Sequence, residues 1–472
     1  MRRLLPTLLA FSLGLSPAFA EKKQPNIVFI LADDMGWMDT GYNGNLFYET
    51  PNIDRLAKDG LTFDRAYAGG PNCSPTRACL LSGMYGPRTH IWTPGAASKG
   101  IFHRMKLLVP NRSNKKGRTF PNRQDLDPSV TSLAEILKPA GYATARFGKW
   151  HLGPDDFQGF DLNSYSGNLK NDYQSGKKGY RDTRNAQKIT DAGINFIEAN
   201  TSTPFFLFLS HFEPHVPLVA DPKVVQKYKD KLASKKWSHP WNPTYAAMLE
   251  ALDHSVGRIQ KKLTELGLAE NTLLIFSSDN GGVTPVTPMA PLKGAKGCLS
   301  EGGIRVPTVM TWPGVIQPGT RTDTPITSVD FLPTFAELAE AKLPDSQPVD
   351  GTSFTPLLKG KELPERAIYW HYPFYLRGNG PPDRIIPALG TDELYWCATP
   401  CSVICRGDWK LIQYFDTGHL ELHNLKEDPS EKTDLSEKFP DKVTALKQEL
   451  TAWQKKVAAP IPTEINPNFE GK

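Results

Sequence analysis

Cys73-Ser74-Pro75-Thr76-Arg77 follows a Gly69-Gly70-Pro71-Asn72 lead-in and opens an apolar helical run, Ala78 to Leu81. A cysteine at a helix N-terminus beside an arginine is a low-pKa nucleophile. The same residue types also describe a buried structural thiol. Asp33-Asp34 and Asp279-Asn280 offer hard oxygen ligands, suited to calcium or magnesium and not to a soft metal. One such pair after a strand is as readily an N-cap or a turn. Two of them, buried together, need a cation to offset their repulsion. Lys149, His151, His215 and Lys296 are each ordinary surface or core residues when taken alone. Together they would supply positive charge for a small anionic group and a proton for a leaving oxygen. The glycine-rich Lys293–Gly297 and Glu301–Gly303 would let backbone approach such an anion closely.

These residues need elements to bring them together. Four short apolar runs each end in polar residues that are costly to bury. Asn26–Ala32 ends in Asp33-Asp34, and Tyr142–Phe147 in Gly148-Lys149-Trp150-His151. Phe205–Leu209 runs into Ser210-His211 and on to His215, and Thr272–Phe276 into Ser277-Ser278-Asp279-Asn280. Near-continuous apolar strands imply burial on both faces, the signature of a parallel sheet covered by helices. Helical patterns lie between them, Ser129–Lys138 and Tyr245–Leu266. The alternation predicts an open α/β sheet, in which ligands gather beyond the carboxyl ends of the strands. All four polar clusters occupy such ends, so they should converge.

After about Pro364 the pattern changes to short strands with turns. Tyr369–Tyr372, Cys405–Ile412 and Glu421–Leu425 precede a terminal helix at Lys442–Val457. This predicts a smaller α+β subdomain with an antiparallel sheet. The expected division is residues 1–20, 21–364 and 365–472. The first of these has Arg2-Arg3, an apolar run from Leu4 to Leu15 and a small-residue end at Ala18-Phe19-Ala20, which reads as a secretory signal.

The composition is that of a soluble globular chain: 472 residues, 39% hydrophobic and 22% charged. No later segment is long and apolar enough to span a bilayer. The formal charge of +5 falls by two with the leader, too mild a balance to argue for nucleic acid. A basic segment, Asn111–Arg123, is a solvated loop or a guide for an anionic substrate. Six cysteines in an exported chain suggest disulfides. If Cys73 is consumed by chemistry, five remain, and one bridge within Cys397, Cys401 and Cys405 is expected.

Taken in order, these motifs resemble the type I, formylglycine-dependent sulfatases of the alkaline phosphatase superfamily. The resemblance is carried by Pro25–Val28 leading to Asp33-Asp34, Thr50–Leu56, Cys73–Arg77, Gly148–Gly153, Pro214-His215, Ser278–Gly281 and Lys296 through Gly303. It implies a large mixed, mainly parallel sheet sandwiched by helices, with the smaller C-terminal antiparallel sheet beside it. It further implies that Asp33, Asp34, Asp279, Asn280 and modified Cys73 hold one calcium ion. Arg77 and Lys149 would polarise the formylglycine, and His151 would assist release of sulfate from it. His215 and Lys296 would bind the sulfate, and one of them would protonate the leaving alcohol. The implied partners are a sulfated glycan or small sulfate ester and, during maturation, a formylglycine-generating enzyme.

Cys79 and Cys298 depart from the usual small, hydroxyl or aliphatic residues at their positions, as inert core thiols or a bridge near the site. Tyr375–Val403 reads as an insertion, and Trp92, His371, Arg377 and Arg384 are candidates for substrate specificity. His211 and His254 have no expected role. Two other readings remain: a phosphoester or phosphonate hydrolase of the same superfamily, which with two zinc ions would want further His and Asp ligands, and a binding protein without catalysis.

Overall fold

The computed structural model describes residues 24–94, 102–108, 122–153, 158–163, 182–377, 386–387 and 394–470. The expected leader, Arg384 and the basic segment up to residue 121 lie outside the described residues.

A seven-stranded sheet forms the centre. Its order across is Ala143–Gly148, Phe205–Ser210, Asn26–Ala32, Thr272–Ser278, Val309–Thr311, Leu61–Phe63 and Thr320–Thr322. The first four strands run parallel, and Val309–Thr311 runs antiparallel to both of its neighbours. Strand periodicity sorts their side chains onto two faces. Ile27, Phe29 and Leu31 join Phe206, Phe208, Leu273 and Ile275 in one core. Val28, Ile30 and Ala32 join Leu207, Leu209, Leu274 and Phe276 in the other. Cys73–Ser82, Leu133–Leu137 and Phe331–Leu338 cover the first face, and Pro51–Asp59, Asn185–Ala199 and Pro243–Glu265 the second. The mainly parallel sheet sandwiched by helices is therefore present.

Local chemistry moves two helix boundaries from where periodicity put them. Asn242 accepts from the amides of Thr244 and Tyr245, so the long helix starts at Pro243. Ser132 forms a capping box with Glu135, which starts the shorter helix at Leu133, while Ser129 is drawn into a turn by Asp127.

The C-terminal sheet is antiparallel, in the order Ala367–Tyr372, Cys401–Arg406, Trp409–Tyr414 and Leu420–Asn424. Cys405–Ile412, read as one segment, is a hairpin that turns at Gly407-Asp408, with Arg406 opposite Trp409. The helix Pro440–Lys456 packs on this sheet through Leu446, Leu450 and Trp453. Within the insertion, Leu376–Arg377, Leu394–Ala398 and Ile386–Pro387 form a three-stranded sheet. All six cysteines are thiols. The bridge expected in the late cluster is not formed, and Cys401 with Cys405 could not form it. Four residues apart along one strand, they stand about 13 Å from each other, beyond disulfide reach. Among the described residues no helix is long and apolar enough to cross a membrane.

Candidate active site

The four adjacent parallel strands deliver their polar ends to one point, joined by the N-terminus of the helix Cys73–Ser82. Asp33 leaves the strand Asn26–Ala32 fully buried and accepts from the Lys149 ammonium through both oxygens, at 2.8 and 2.6 Å. Asp34 follows with φ at +67°, a left-handed conformation that aspartate tolerates better than most residues. Its amide donates to Asp279 Oδ1 at 3.2 Å, and its carbonyl lies 3.2 Å from the Tyr245 hydroxyl. Its carboxylate meets Lys296 Nζ at 2.6 Å, Asn280 Nδ2 at 2.8 Å and His215 Nε2 at 3.4 Å. Cys73 Sγ stands 3.4 Å from Asp33 Oδ1, 3.8 Å from Asp34 Oδ1 and 3.4 Å from Lys296 Nζ. Arg77, one helical turn on, donates to Asp279 Oδ2, to the Lys149 carbonyl and to Ser210 Oγ.

Three carboxylates and three permanent cations thus share a dry volume, and the field sets their protonation. Burial alone would disfavour an ionised Asp34, but Lys296, His215 and Lys149 hold it well below the ordinary carboxylate range. Burial prevails at Asp33 and, with the charge on Asp33, at Asp279, so both shift upward despite Lys149 and Arg77. His215 is the reverse case: burial opposes its charge, yet Asp33 and Asp34 raise it to about 9. Burial and Asp279 oppose ionisation of Cys73, but Lys149 and Lys296 hold the thiol well below its usual range. A centre with this composition stabilises a small anion and an anionic nucleophile together.

Its donor set also suits a hard cation. Asp33, Asp34, Cys73 and His215 each present a ligand atom within 4.8 Å of the others. Asn280 Oδ1 is buried beside them without a hydrogen-bond partner. An orphaned amide oxygen among carboxylates is what an oxygen-coordinated divalent ion would satisfy.

The family model described as Sulfatase matches residues 25–341, a span that contains every one of these side chains. The chain belongs to the sulfatase family. It is similar to a sulfatase of Formosa agariphila, 32% identical with 95% of this chain and 93% of that protein covered. It is 30% identical to N-acetylgalactosamine-6-sulfatase of Mus musculus, over 78% of this chain and 71% of that one. Among solved structures, Ps i-CgsB in complex with k-i-k-neocarrahexaose superposes with a TM-score of 0.71 at 28% identity, covering 91% and 93% of the two chains. The protein is accordingly an enzyme that hydrolyses sulfate esters.

In this sulfatase Cys73, Arg77, Lys149, His215 and Lys296 converge with Asp33, Asp34, Asp279 and Asn280. His151 also has a left-handed φ, +68°, and is part-exposed, with its Nδ1 buried and unpartnered. Ser210, placed by the sequence at a converging strand end but without a role, accepts from Arg77, and Asp39, which accepts from Tyr245 at 2.5 Å, was not anticipated. Asp39 lies six residues past Asp33 in the same loop, and that proximity was the available signal.

Two of the specificity candidates lie elsewhere. Trp92 is 1% exposed and packs edge-on against His371 at 5.4 Å. His371 is tied to Ser402 Oγ at 2.7 Å and to the Pro460 carbonyl at 3.0 Å. Both are core residues, closed to a substrate. Arg377 is exposed, and its neighbour Leu376 packs on Gly297, next to Lys296. The glycines expected to admit an anion instead admit backbone. A Cβ on Gly303 would stand 2.1 Å from the Cys298 carbonyl oxygen, and one on Gly302 would stand 2.6 Å from that of Lys293. His211 is buried against Ser255 Oγ at 3.0 Å, a packing role. A separate cleft of about 490 Å³, lined by Arg65, Arg366, Trp409 and Lys442 among others, shares no residue with this site.

Proposed function

We propose that this sulfatase releases inorganic sulfate from sulfated carbohydrate, with Cys73 converted to formylglycine and one calcium ion held by Asp33, Asp34, Asp279 and Asn280. The observation that carries the reading is the position of Cys73 Sγ, within 3.8 Å of two carboxylates and beside Lys296. That sulfur marks where the oxygens of the modified residue would stand. When present, the hydrated aldehyde supplies an oxygen nucleophile that can later expel sulfate, and calcium supplies Lewis-acid charge.

The chain's own residues do the rest. Lys149 neutralises Asp33, and Arg77 anchors Asp279, so the anionic centre is preorganised before substrate arrives. Lys296 and His215, the more exposed cations, face the side from which a sulfate group would enter. His215, raised to about 9 by Asp33 and Asp34 against the effect of burial, carries a proton at neutral pH and can give it to the departing alcohol oxygen. Lys296 is the alternative donor. His151, two residues past Lys149, assists sulfate release through its unpartnered ring nitrogen. The net reaction consumes one water and yields alcohol and sulfate.

The carbohydrate assignment draws on the relative named for N-acetylgalactosamine 6-sulfate and the neighbour solved with neocarrahexaose. Export through residues 1–20 and maturation by a formylglycine-generating enzyme complete the proposal. The test is free sulfate released from carrageenan, fucoidan, ulvan and glycosaminoglycan oligosaccharides and from an aryl sulfate, with Cys73→Ala as control. Release from one glycan class, lost in the control, is expected. No release by protein whose residue 73 is shown to be an aldehyde would overturn it, as would two zinc ions per chain in a metal assay.

A further inference from the structure

We propose that Cys298 and Cys397 are the two halves of a disulfide that fastens the short sheet carrying Arg377 to the loop carrying Lys296. Cys298 lies two residues past Lys296, buried, with its amide donating to the Ala295 carbonyl at 3.0 Å. Cys397 lies on Leu394–Ala398, the middle strand of the three-stranded sheet. Cys397 Sγ donates to the Arg377 carbonyl at 3.8 Å, and the Cys298 side chain is the strongest influence on its thiol. Cys397 Sγ is 3.2 Å from where a Cβ on Gly297 would stand, and Leu376 of the neighbouring strand approaches the same point to 2.4 Å. Gly297 has a φ of +95°, so it is a glycine both for its backbone and for the space that lets the strands close down.

Two of the other thiols are engaged elsewhere. Cys79 Sγ is bound to the Gly69 carbonyl at 3.7 Å, and Cys405 Sγ accepts from Arg65 at 3.3 Å. A bond between Cys298 and Cys397 would join the Lys296 loop to a strand about a hundred residues further along the chain, where local pattern gives no hint of contact.

Cys397, part-exposed, is the sulfur an oxidant reaches first. Its thiolate attacks one sulfur of a disulfide oxidant, a glutathione-type molecule or the disulfide of a thiol oxidase, and one thiol leaves. The Cys298 thiolate then displaces the second thiol and closes the bond. Two protein thiols are oxidised, and one external disulfide is reduced to two thiols. The Cys298 side chain, and then burial, hold the Cys397 thiol well above its ordinary range, so uncatalysed exchange is slow at neutral pH.

The experiment compares the full-length reduced protein with protein treated with excess oxidised glutathione at mildly alkaline pH. Non-reducing peptide mapping by mass spectrometry should find the Cys298 and Cys397 peptides joined. Tm should rise by about 5 °C, as expected for closing a loop of this length in a chain of this size. The rise should vanish with dithiothreitol and be missing in Cys397→Ser. The map on the wild-type protein needs neither a variant nor a substrate, so its failure is distinct from failure of the sulfatase reading. Both thiols still open to alkylation after treatment, or Cys298 joined to Cys401 or Cys405, would overturn the proposal.

Discussion

Arg77 donates through Nε and Nη2 to one and the same oxygen of Asp279, Oδ2, at 3.0 and 2.8 Å, with both side chains sealed from solvent. The other oxygen is thereby left to receive the Asp34 amide. One arginine thus sets the orientation of a carboxylate that in turn holds its neighbour's backbone. A lysine cannot reproduce this fork, because its single ammonium would have to abandon either Asp279 or the Lys149 carbonyl. Arg77→Lys should lower kcat by about 10²-fold or more with a smaller change in KM, measured on an aryl sulfate.

A serine at position 73 offers an oxygen nucleophile with no second hydroxyl to expel the product. Cys73→Ser should therefore take up one sulfate per chain and stop. Intact-mass spectrometry would show the added sulfate, and steady-state release should fall by about 10³-fold or more. Full turnover by the serine variant would contradict the role of the modified residue.

Tyr245 reaches the site from the long helix of the opposite layer, donating a hydrogen bond to Asp39 and lying against the Asp34 carbonyl. Groups that orient a ligand from behind typically contribute 10- to 100-fold in metal affinity. Tyr245→Phe should weaken calcium binding by about tenfold in a calorimetric titration, with Tm almost unchanged. A loss of Tm with intact calcium affinity would assign Tyr245 to packing alone.

Burial holds the His371 imidazole down to about 4, against an ordinary value near 6.5. The folded protein then binds fewer protons than the unfolded chain between these two pH values, so stability present above about 6.5 drains away as pH falls toward 4. From pH 7 to pH 5 the loss through this residue is about 2 kcal/mol. Urea unfolding of the wild type and of His371→Gln should show that this part of the acid sensitivity disappears in the variant.

Arg377 sits beside the Lys296 loop and is open to solvent. If a polyanionic chain passes over the site, Arg377→Ala should raise KM for that substrate by about fivefold. The small aryl sulfate should be unaffected. Equal effects on both would remove Arg377 from substrate recognition.

The sheet was legible because strands buried on both faces are largely apolar until they end, Thr144 and Arg146 being exceptions. Asp33, Lys149, Ser210 and Asp279 therefore announce themselves by interrupting apolar runs. Their convergence follows from parallel order alone. What periodicity could not supply was depth in the C-terminal part. Trp92 and His371 are aromatic or ionisable residues of the kind that line carbohydrate sites, but they pack on each other beneath the surface. Contacts between distant segments, such as Tyr245 with Asp39 or Cys298 with Cys397, leave no mark in local pattern. The hairpin at Gly407-Asp408 falls within a stretch read as short strands with turns, without its pairing being fixed.

Asp33, Lys149, Ser210 and Asp279 hang from the ends of four neighbouring strands, each paired along nearly its whole length with at least one neighbour, and Cys73 and Arg77 from a helix packed on them. The part of the centre that these strands fix has no fraying segment of its own to lose. Loops remote from these groups can open and close while turnover continues, and inactivation by heat then follows the rupture of the sheet that holds the carboxylates. For this protein the temperature at which activity disappears is a thermometer for the whole domain.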